Sequence, residues 1–471
     1  MAVPVTQFEG ESVAVMGLGR SGLAAAHALA GGGARVLAWD DSAARREQAA
    51  ADGIALRDLA ANDAFDGVAT LVLSPGIPHT HPAPNPVAAR AKAAGCPIIG
   101  DIELLIRACP DPRYVGVTGT NGKSTTTALL GHVLDRAGIQ VAVGGNLGQP
   151  ALTLARLGAD GVYVLEMSSY QLELTPSMRF DVAVLLNVTP DHLDRHGGLD
   201  GYIAAKRRIF DRQGSGQAAV VGVDDAPGRR IFAALSDGPA RAVPVSCNGP
   251  AAGGVYVDGT TLVDAMEGEP ARIVDLASAA ALPGRHNAQN AAAAYAAARL
   301  LGVDAQSVAA GILSYPGLPH RQQVAAVIDG LTFVNDSKAT NAEAAAKALA
   351  SYDSVYWIAG GQAKEGGFAP LLPLMNRVKG AFLIGEAADH MAEALSPHVP
   401  CRVSGSLAAA VTDAHGAALD QGATDAVVLL SPACASFDQF ADFENRGNEF
   451  CRLVAALPGN QRDIRYRGEA A

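Results

Sequence analysis

The chain has 471 residues, of which 49% are hydrophobic and 18% charged, a composition that excludes a disordered, collagen-like or coiled-coil protein. At roughly 150 residues per domain, this length predicts about three domains. Its 36 Lys and Arg residues against 47 Asp and Glu give a formal charge of −11, which disfavours nucleic acid as a partner because no basic patch is concentrated anywhere.

The sequence lacks the motifs of zinc-binding, disulfide-rich, secreted and membrane proteins. The six cysteines form no CxxC pair, so neither a zinc site nor a disulfide framework is indicated. The first residues lack the basic and apolar regions of a secretion signal, and no stretch reaches the ~18 apolar residues of a membrane span. We therefore expect a cytoplasmic protein without membrane insertion.

Short β-branched runs alternate with alanine-rich stretches along the whole chain, a pattern typical of parallel sheets covered by helices. We predict an α/β protein of three domains, residues 1–109, 110–317 and 318–471, with proline-rich breaks at the two boundaries. A more β-like insert is expected around residues 253–276. Ligands of open α/β sheets bind at the carboxyl ends of the strands, so the residues that follow each run are the candidates for function.

The first such segment is GLGRSG, from Gly17 to Gly22, which follows the predicted strand SVAVM; Asp40 closes the next predicted strand. Glycines at this spacing admit a diphosphate to a helix N-terminus, and the acid can take a hydroxyl or imide edge. From the spacing alone, three interpretations stay open: an NAD(P) site, a site for another diphosphate ligand, and a purely structural tight turn.

The second segment, GVTGTNGKST, lies between a predicted strand and a predicted helix and departs from strict GxxxxGK[ST] at Val117. Its backbone N–H groups can wrap phosphate oxygens, Lys123 can bridge the β- and γ-phosphates, and the Ser124 hydroxyl can hold Mg²⁺. It predicts a nucleoside triphosphate site. The alternative is a glycine-rich turn with a chance Lys-Ser pair.

Further candidates follow other predicted strands. Glu166 and the loop residues His192 and Asp194 can converge on a second Mg²⁺, although such residues are more often caps or solvated side chains. Asn287 and Asn290 lie about one helical turn apart, so their amides can face an adenine edge or simply cap the helix. Hydroxyls and lysines of the third block can bind a dicarboxylate or remain solvated: Asp336, Ser337, Lys338, Thr340, Lys364 and Ser436.

Taken together, these segments resemble the Mur ligase family over nearly the whole chain. The similar segments are GLGRSG, LSPG, GTNGKST, GGNLG, EMSSYQLE, NVTPDHLDRH, YIAAKRRIF, GRHNAQN, PHR, NDSKATN and SPACASFDQFADFENRGNEF. NDSKATN and SPACASFDQF are similar to the member that adds D-glutamate. The DNPR-type segment of the diamino-acid-adding ligase is missing, as is the extra glycine of GTNGKGS that is usual in folylpolyglutamate synthetases.

The resemblance implies a Rossmann-like N-terminal domain, a central P-loop ATPase-like domain and a C-terminal Rossmann-like α/β domain. It implies an ATP-dependent ligase that uses ATP and Mg²⁺ to add D-glutamate to UDP-N-acetylmuramoyl-L-alanine through an acyl phosphate, in peptidoglycan precursor synthesis, as a monomer. The alternatives are another amino-acid-adding Mur ligase, a folylpolyglutamate-synthetase-like ligase, an NAD(P)-dependent dehydrogenase and a P-loop regulatory or motor ATPase.

The resemblance also implies roles for individual residues. The residues implied for the UDP-muramoyl substrate are Arg20, Ser21, Asp40, Asp41, Gly76 and Asn146. Those implied for ATP are Gly119, Thr120, Asn121, Gly122, Lys123, Ser124, Thr125, Asn287, Asn290, Arg321 and Asp336. Those implied for Mg²⁺ are Ser124, Glu166, His192 and Lys206, the last as a carbamate. Those implied for D-glutamate are Thr340, Lys364, Ser436 and Phe443. The catalytic residues would be Lys123, His192, Lys206 and Arg321. From the residues alone, Lys206 in AAKRR is a solvated surface lysine.

Overall fold

The computed structural model describes residues 3–363 and 367–462. The chain forms two compact units. The first contains the chain up to Ala279 together with Arg285–Leu313, and the second contains Ala280–Gly284 together with the chain from Ser314. Two sheets belong to the first unit and a third belongs to the second.

The first sheet has four parallel strands in the order β2-β1-β3-β4. Its first helix starts at Arg20, within the GLGRSG segment. A Cβ on Gly22 would lie 1.7 Å from the Gly17 carbonyl oxygen, so only glycine lets the helix approach the loop. The strands are β1 (Ser12–Met16), β2 (Arg35–Trp39), β3 (Val68–Leu73) and β4 (Ile98–Ile99). The helices are α1 (Arg20–Gly31), α2 (Ala43–Ala51), α3 (Pro86–Ala93) and α4 (Asp101–Ala108).

The second sheet has nine strands in the order β13-β12-β11-β10-β9-β8-β5-β7-β6. All neighbours are parallel except the pairs β11–β12 and β12–β13, which form the β-like insert. The strands are β5 (Arg113–Thr118), β6 (Val141–Gly145), β7 (Val162–Glu166), β8 (Val182–Leu185), β9 (Ala218–Gly222), β10 (Arg241–Ser246), β11 (Val255–Asp258), β12 (Thr261–Asp264) and β13 (Ala271–Asp275). The helices are α5 (Lys123–Arg136), α6 (Ser169–Glu173), α7 (Leu193–His196), α8 (Leu199–Arg207), α9 (Ala226–Ser236), α10 (Arg285–Leu300) and α11 (Ala305–Leu313).

Helix α10 packs against α5 and against strands β8 to β11 of the sheet. Its residues 291–298 are buried on every side, because seven of them are alanines small enough for neighbours to approach closely. This packing brings the polar first turn of α10 towards the N-terminus of α5.

The third sheet has seven strands in the order β18-β17-β16-β19-β15-β14-β20. Only β14 runs antiparallel to its neighbours. The strands are β14 (Gln323–Ile328), β15 (Leu331–Asn335), β16 (Val355–Gly360), β17 (Val378–Ile384), β18 (Cys401–Gly405), β19 (Val427–Leu430) and β20 (Gln461–Arg462). The helices are α12 (Ala342–Leu349), α13 (Ala388–Leu395), α14 (Leu407–Asp420) and α15 (Phe443–Ala455). Short 3-10 helices occur across the chain at Thr6–Phe8, Ala151–Thr153, Arg208–Phe210, Leu276–Ser278 and Ala369–Arg377.

The predicted α/β class is confirmed, since each sheet is mostly parallel and flanked by helices. The first two predicted domains fall within one compact unit, because a continuous core joins Leu104 and Leu105 of α4 to Tyr163 of β7. Their boundary at 109/110 therefore stays a prediction, as does the one at 317/318. Within the part of the chain that the structure describes, no helix is both long enough and apolar enough to span a membrane.

Candidate active site

The glycine loop between β5 and α5 has the geometry of a phosphate-binding turn. Gly119 and Gly122 have φ angles of +152° and +86°, which other residues rarely adopt. Val117 is fully buried within β5, so the departure from the strict motif lies in the strand and leaves the turn intact. Lys123 Nζ donates to the carbonyl oxygens of Gly119 and Thr120, both at 2.9 Å, and so lies across the loop.

Further residues predicted to bind ATP lie next to this loop within the first unit. Ser124 and Thr125 occupy the first turn of α5. Asn290 donates to Asn287 Oδ1 at 3.0 Å, and a Cβ on Gly122 would lie 2.2 Å from Asn290 Oδ1. Asn290 therefore contacts the glycine loop, and its predicted role towards an adenine edge stays a prediction.

A relay of side chains holds the backbone of this loop. Asn187 accepts from Asn121 N at 2.9 Å and donates to Asn121 O at 3.2 Å. Asn187 also donates to Gln289 Oε1 at 3.2 Å, and Gln289 Nε2 donates to Asp224 Oδ2 at 2.9 Å. Sequence reasoning missed all three supporting residues. The only signal was the position of Gln289 between the two asparagines of GRHNAQN.

Lys206 is buried, with 1% of its surface exposed, so its interpretation as a solvated surface lysine was wrong. The buried residues of α8 are Tyr202, Ala205 and Lys206, spaced as one face of a helix. Lys206 Nζ donates to the Gly119 carbonyl oxygen at 2.7 Å and lies 4.6 Å from the centre of the Tyr202 ring. Burial, followed by the nearby charge of Lys123, lowers the pKa of the Lys206 amine to about 7.

Glu166 ends β7 with only 2% of its surface exposed. Its Oε1 accepts from Asn146 Nδ2 at 2.6 Å, and Asn146 N donates to the Glu166 carbonyl oxygen at 2.9 Å. Among the residues that the structure describes, its Oε2 has no hydrogen-bond partner. A buried anionic oxygen without a partner is costly, and a divalent cation would satisfy it, so this carboxylate fits Mg²⁺.

His192 lies at the start of α7 with φ +50°, and its Nε2 is 3.6 Å from Asp191 Oδ2. About half of its side chain is exposed. Across residues 3–363 and 367–462, no group of three or more His, Cys, Asp and Glu side chains could hold a metal. A Mg²⁺ site built on Glu166 and His192 therefore needs further oxygens, such as the Ser124 hydroxyl, a carbamate on Lys206 or phosphate.

Beside this site lies a buried histidine that the sequence did not single out. His196 Nδ1 is 3.2 Å from Glu173 Oε1, and Nε2 is 2.9 Å from Ser169 Oγ. Its ring stacks on Tyr170 with centroids 5.4 Å apart. Burial, followed by nearby positive charges, lowers the pKa of His196 to about 4, so the imidazole is neutral near pH 7. The ring therefore serves to hold Glu173 and Ser169 through its hydrogen bonds.

At the first sheet, the carboxylate of Asp40 accepts from Leu18 N at 2.6 Å and Ser42 N at 2.8 Å, and so holds the glycine loop after β1. Burial acts to raise the pKa of Asp40, but the hydrogen bonds outweigh it and keep the pKa below its ordinary value. Asp41 and Gly76 are exposed beside the same sheet edge, and Ser21 lies in the first turn of α1.

Arg20 connects the two sheets of the first unit. Its Nη2 donates to the Gly148 carbonyl oxygen at 2.7 Å, close in sequence to Asn146. The structure thus brings the segment of Arg20 and that of Asn146 together, as a shared substrate site requires.

In the second unit, Asp336 follows β15 and is 5% exposed. Its Oδ2 accepts from Ser431 Oγ at 2.8 Å, and its Oδ1 accepts from Gln322 N at 3.1 Å. Burial raises the pKa of Asp336 to about 7. Arg321 precedes β14 with an exposed side chain, and its charge partly opposes this shift.

Three of the residues predicted to bind D-glutamate belong to segments that meet. Ser337 Oγ donates to the Phe443 carbonyl oxygen at 2.8 Å, and Lys338 Nζ lies 4.2 Å from the centre of the Phe443 ring. Thr340 is half-buried in the same segment as Ser337, and Ser436 is 2% exposed. Lys364 lies outside the described residues.

Asp336→Asn is expected to flatten the pH dependence of stability in the second unit. The folded carboxyl stays protonated up to about pH 7 and the unfolded one only to about pH 4, so the folded state binds more protons between these values and stability falls as pH rises through them. The neutral amide of the Asp336→Asn variant does not titrate, so its stability does not fall in this way. Urea unfolding at pH 5 and 7.5 measures the free energy of unfolding of both proteins. The reporter is Trp357 fluorescence in a Trp39→Phe background, because Trp357 donates to the Ser431 carbonyl oxygen. If the variant gains no stability relative to wild type between pH 5 and 7.5, Asp336 is already ionised.

Comparison with known proteins agrees with this architecture. The family model of the Mur ligase middle domain matches residues 117–298, and that of the Mur ligase glutamate ligase domain matches residues 320–434. The UDP-N-acetylmuramate-alanine ligase MurC from Thermotoga maritima aligns with a TM-score of 0.56 at 17% identity, over 94% of this chain and 99% of that one, which shows a shared fold. The chain belongs to the Mur ligase family.

Two relatives are similar over nearly their whole length. The chain is 53% identical to the UDP-N-acetylmuramoylalanine--D-glutamate ligase of Rhodospirillum rubrum, over 97% of this chain and 96% of that protein. It is 51% identical to the ligase of the same name from Phenylobacterium zucineum, over 98% of this chain and 99% of that protein.

Proposed function

We propose that this protein is an ATP-dependent ligase that joins D-glutamate to UDP-N-acetylmuramoyl-L-alanine in cytoplasmic peptidoglycan precursor synthesis, acting as a monomer. The observation that carries the chemistry is the glycine loop of the second sheet, which has the buried amine of Lys206 bonded to its Gly119 carbonyl. The amino acid follows from the names of relatives that are 53% and 51% identical over nearly the whole chain.

The reaction faces an electrostatic obstacle, because a substrate carboxylate must attack the γ-phosphorus of ATP and both groups are anionic. Lys123 places a positive charge across the loop, and it would leave its two carbonyl partners to contact the phosphates. The carboxylate oxygen bonds to phosphorus as ADP leaves, giving an acyl phosphate. The amine of D-glutamate then attacks the acyl carbon, phosphate departs, the amine gives up a proton, and an amide results.

The residues that would hold Mg²⁺ are Ser124, Glu166 and His192, with Lys206 as a carbamate. When bound, the ion supplies positive charge that lowers the repulsion between the two anions. Asn146 keeps the Glu166 carboxylate oriented through its 2.6 Å hydrogen bond, so its loss would weaken both the substrate site and the metal site.

Other residues would contact the UDP substrate, ATP and D-glutamate. Arg20 and Ser21 would lie near the diphosphate, Asp40 and Asp41 near the uracil, and Gly76 and Asn146 along the muramoyl group. Asp40 would act on the uracil while its carboxylate holds the loop backbone. Arg321 and Asp336 would contact ATP from the second unit, and Thr340, Lys364, Ser436 and Phe443 would surround D-glutamate.

Phosphate release from ATP is expected to require both UDP-N-acetylmuramoyl-L-alanine and D-glutamate. A screen of L- and D-amino acids with the UDP substrate present measures this directly. A control without amino acid detects the uncoupled hydrolysis that a regulatory or motor ATPase would show. Equal rates with L-glutamate or L-lysine would contradict the proposed amino acid.

A further inference from the structure

Arg446 on α15 is among the largest fully buried side chains of the protein, with 1% of its surface exposed. Its Nε donates to Ser337 Oγ at 3.0 Å and its Nη2 to the Ser337 carbonyl oxygen at 2.9 Å. Nη2 also donates to the Cys434 carbonyl oxygen at 3.2 Å, and Nη1 donates to the Ala435 carbonyl oxygen at 3.3 Å. All of these acceptors are neutral, and within the described residues no carboxylate forms an ion pair with this guanidinium.

The guanidinium is charged despite its burial. Burial lowers the pKa of Arg446 to about 10, which still leaves it protonated near pH 7. The charge of Asp438 acts against this shift, but its carboxylate accepts a hydrogen bond from Glu386 N at 3.0 Å. A buried cation without an ionic partner is costly, and its field favours any carboxylate that binds nearby.

The segments that meet at Arg446 are those that carry the residues proposed for D-glutamate. Ser337 precedes Thr340 by three positions, and Ala435 directly precedes Ser436. Phe443 lies one helical turn before Arg446 on the same helix. Gly361 also lies against it, since a Cβ there would be 3.2 Å from Arg446 Nη1.

Gly361 extends the arrangement to the last of the four segments. The next residue, Gln362, exchanges two backbone hydrogen bonds of 2.9 Å with Ala435, which itself accepts from Arg446. Lys364 follows two positions later. One planar guanidinium therefore donates to two of these segments, lies against a third at Gly361 and belongs to the helix of the fourth.

We propose that Arg446 is a positioning and specificity residue for the dicarboxylic amino acid, an inference that rests on the proposed function. It holds these segments together, and its buried positive charge, which forms no ion pair within the described residues, favours a substrate with two carboxylates over one with fewer. Lysine cannot replace it, because a single ammonium cannot reach acceptors spread across the planar fork of a guanidinium.

The test compares Arg446→Ala and Arg446→Lys with Arg452→Ala, a matched control on the same helix whose side chain is 66% exposed and paired with Glu449. Both Arg446 variants should raise KM for D-glutamate about tenfold or more, while KM for ATP and for the UDP substrate changes by less than about twofold. Guanidinium chloride at millimolar concentration should lower the D-glutamate KM of Arg446→Ala. Urea at the same concentration, similar in shape but uncharged, should not.

Two results would overturn the inference: an unchanged D-glutamate KM in Arg446→Lys, or equal increases in KM for all three substrates, which would indicate a purely structural role. If Arg446→Ala does not fold, Arg446→Lys decides alone, because it keeps the charge and most of the volume. Failure of the proposed function is distinguishable, since the wild-type enzyme itself would then show no turnover that depends on D-glutamate.

Discussion

Lys123→Ala is expected to lower kcat for ligation by about 10²–10³, or roughly 3–4 kcal/mol of transition-state stabilisation. The amine lies across the glycine loop, 2.9 Å from the carbonyl oxygens of Gly119 and Thr120. In the proposed reaction it would contact the phosphates, where negative charge peaks during transfer. Phosphate release at saturating substrates measures the loss.

The fold should survive this change, because the Gly119 carbonyl oxygen still accepts from Lys206 and Thr120 is only half-buried. Circular dichroism and the thermal unfolding midpoint should match the wild type. Lys92→Ala, at an exposed position of α3, is the control for removing a lysine charge. A loss of activity below about tenfold would mean that Lys123 does not contact the transferring phosphate.

Lys206→Ala is expected to be nearly inactive and to be partly restored by short-chain carboxylic acids such as acetate. The ammonium of Lys206 would first lose one proton; the neutral amine would then attack CO₂, an N–C bond would form and a second proton would leave, so the side chain would change from positive to negative. Its pKa of about 7 supplies the deprotonated amine that this step requires. Added carboxylates can occupy the vacated volume and offer the same two oxygens to the site.

The pH dependence has a definite sign. Below about pH 7 the amine is protonated and cannot react with CO₂, so wild-type activity in CO₂-depleted buffer should fall as pH decreases through 7 and should recover with bicarbonate above it. Arg207→Ala, one position further along α8 and exposed, is the matched control. Full activity of Lys206→Ala, or inactivity that no carboxylate relieves, would show that Lys206 has no role as a carbamate.

What the sequence predicted and what it missed differ in physical origin. The glycine motifs after β1 and β5 were predictable from the sequence. A left-handed φ and a close contact between loop backbone and helix depend on local sequence, and glycine adopts both most easily. The same holds for Glu166, which ends a β-branched run. Such features are set by neighbours along the chain.

Lys206, Gln289 and Arg446 were not identified from residue chemistry, because their environments come from segments far away in sequence. Lys206 stands in AAKRR among two further basic residues, and only the packing of α8 against the loop of β5 buries it. Arg446 in FENRGNEF reads as an ordinary helical arginine until its partners at Ser337 and Ala435 are known. Resemblance to a family identified the first of these and neither of the others.

The relay of side chains formed by Asn187, Gln289 and Asp224 has a consequence for inhibition. Because protein groups already satisfy both the N–H and the C=O of Asn121, a small molecule that occupies the loop need not order this backbone and loses little affinity to conformational entropy. Resistance to an ATP-competitive inhibitor can then arise without any change at the contact surface. Asp224 lies about a hundred residues from the loop in sequence. Its substitution would remove the hydrogen bond to Gln289 and so weaken the support of the loop backbone.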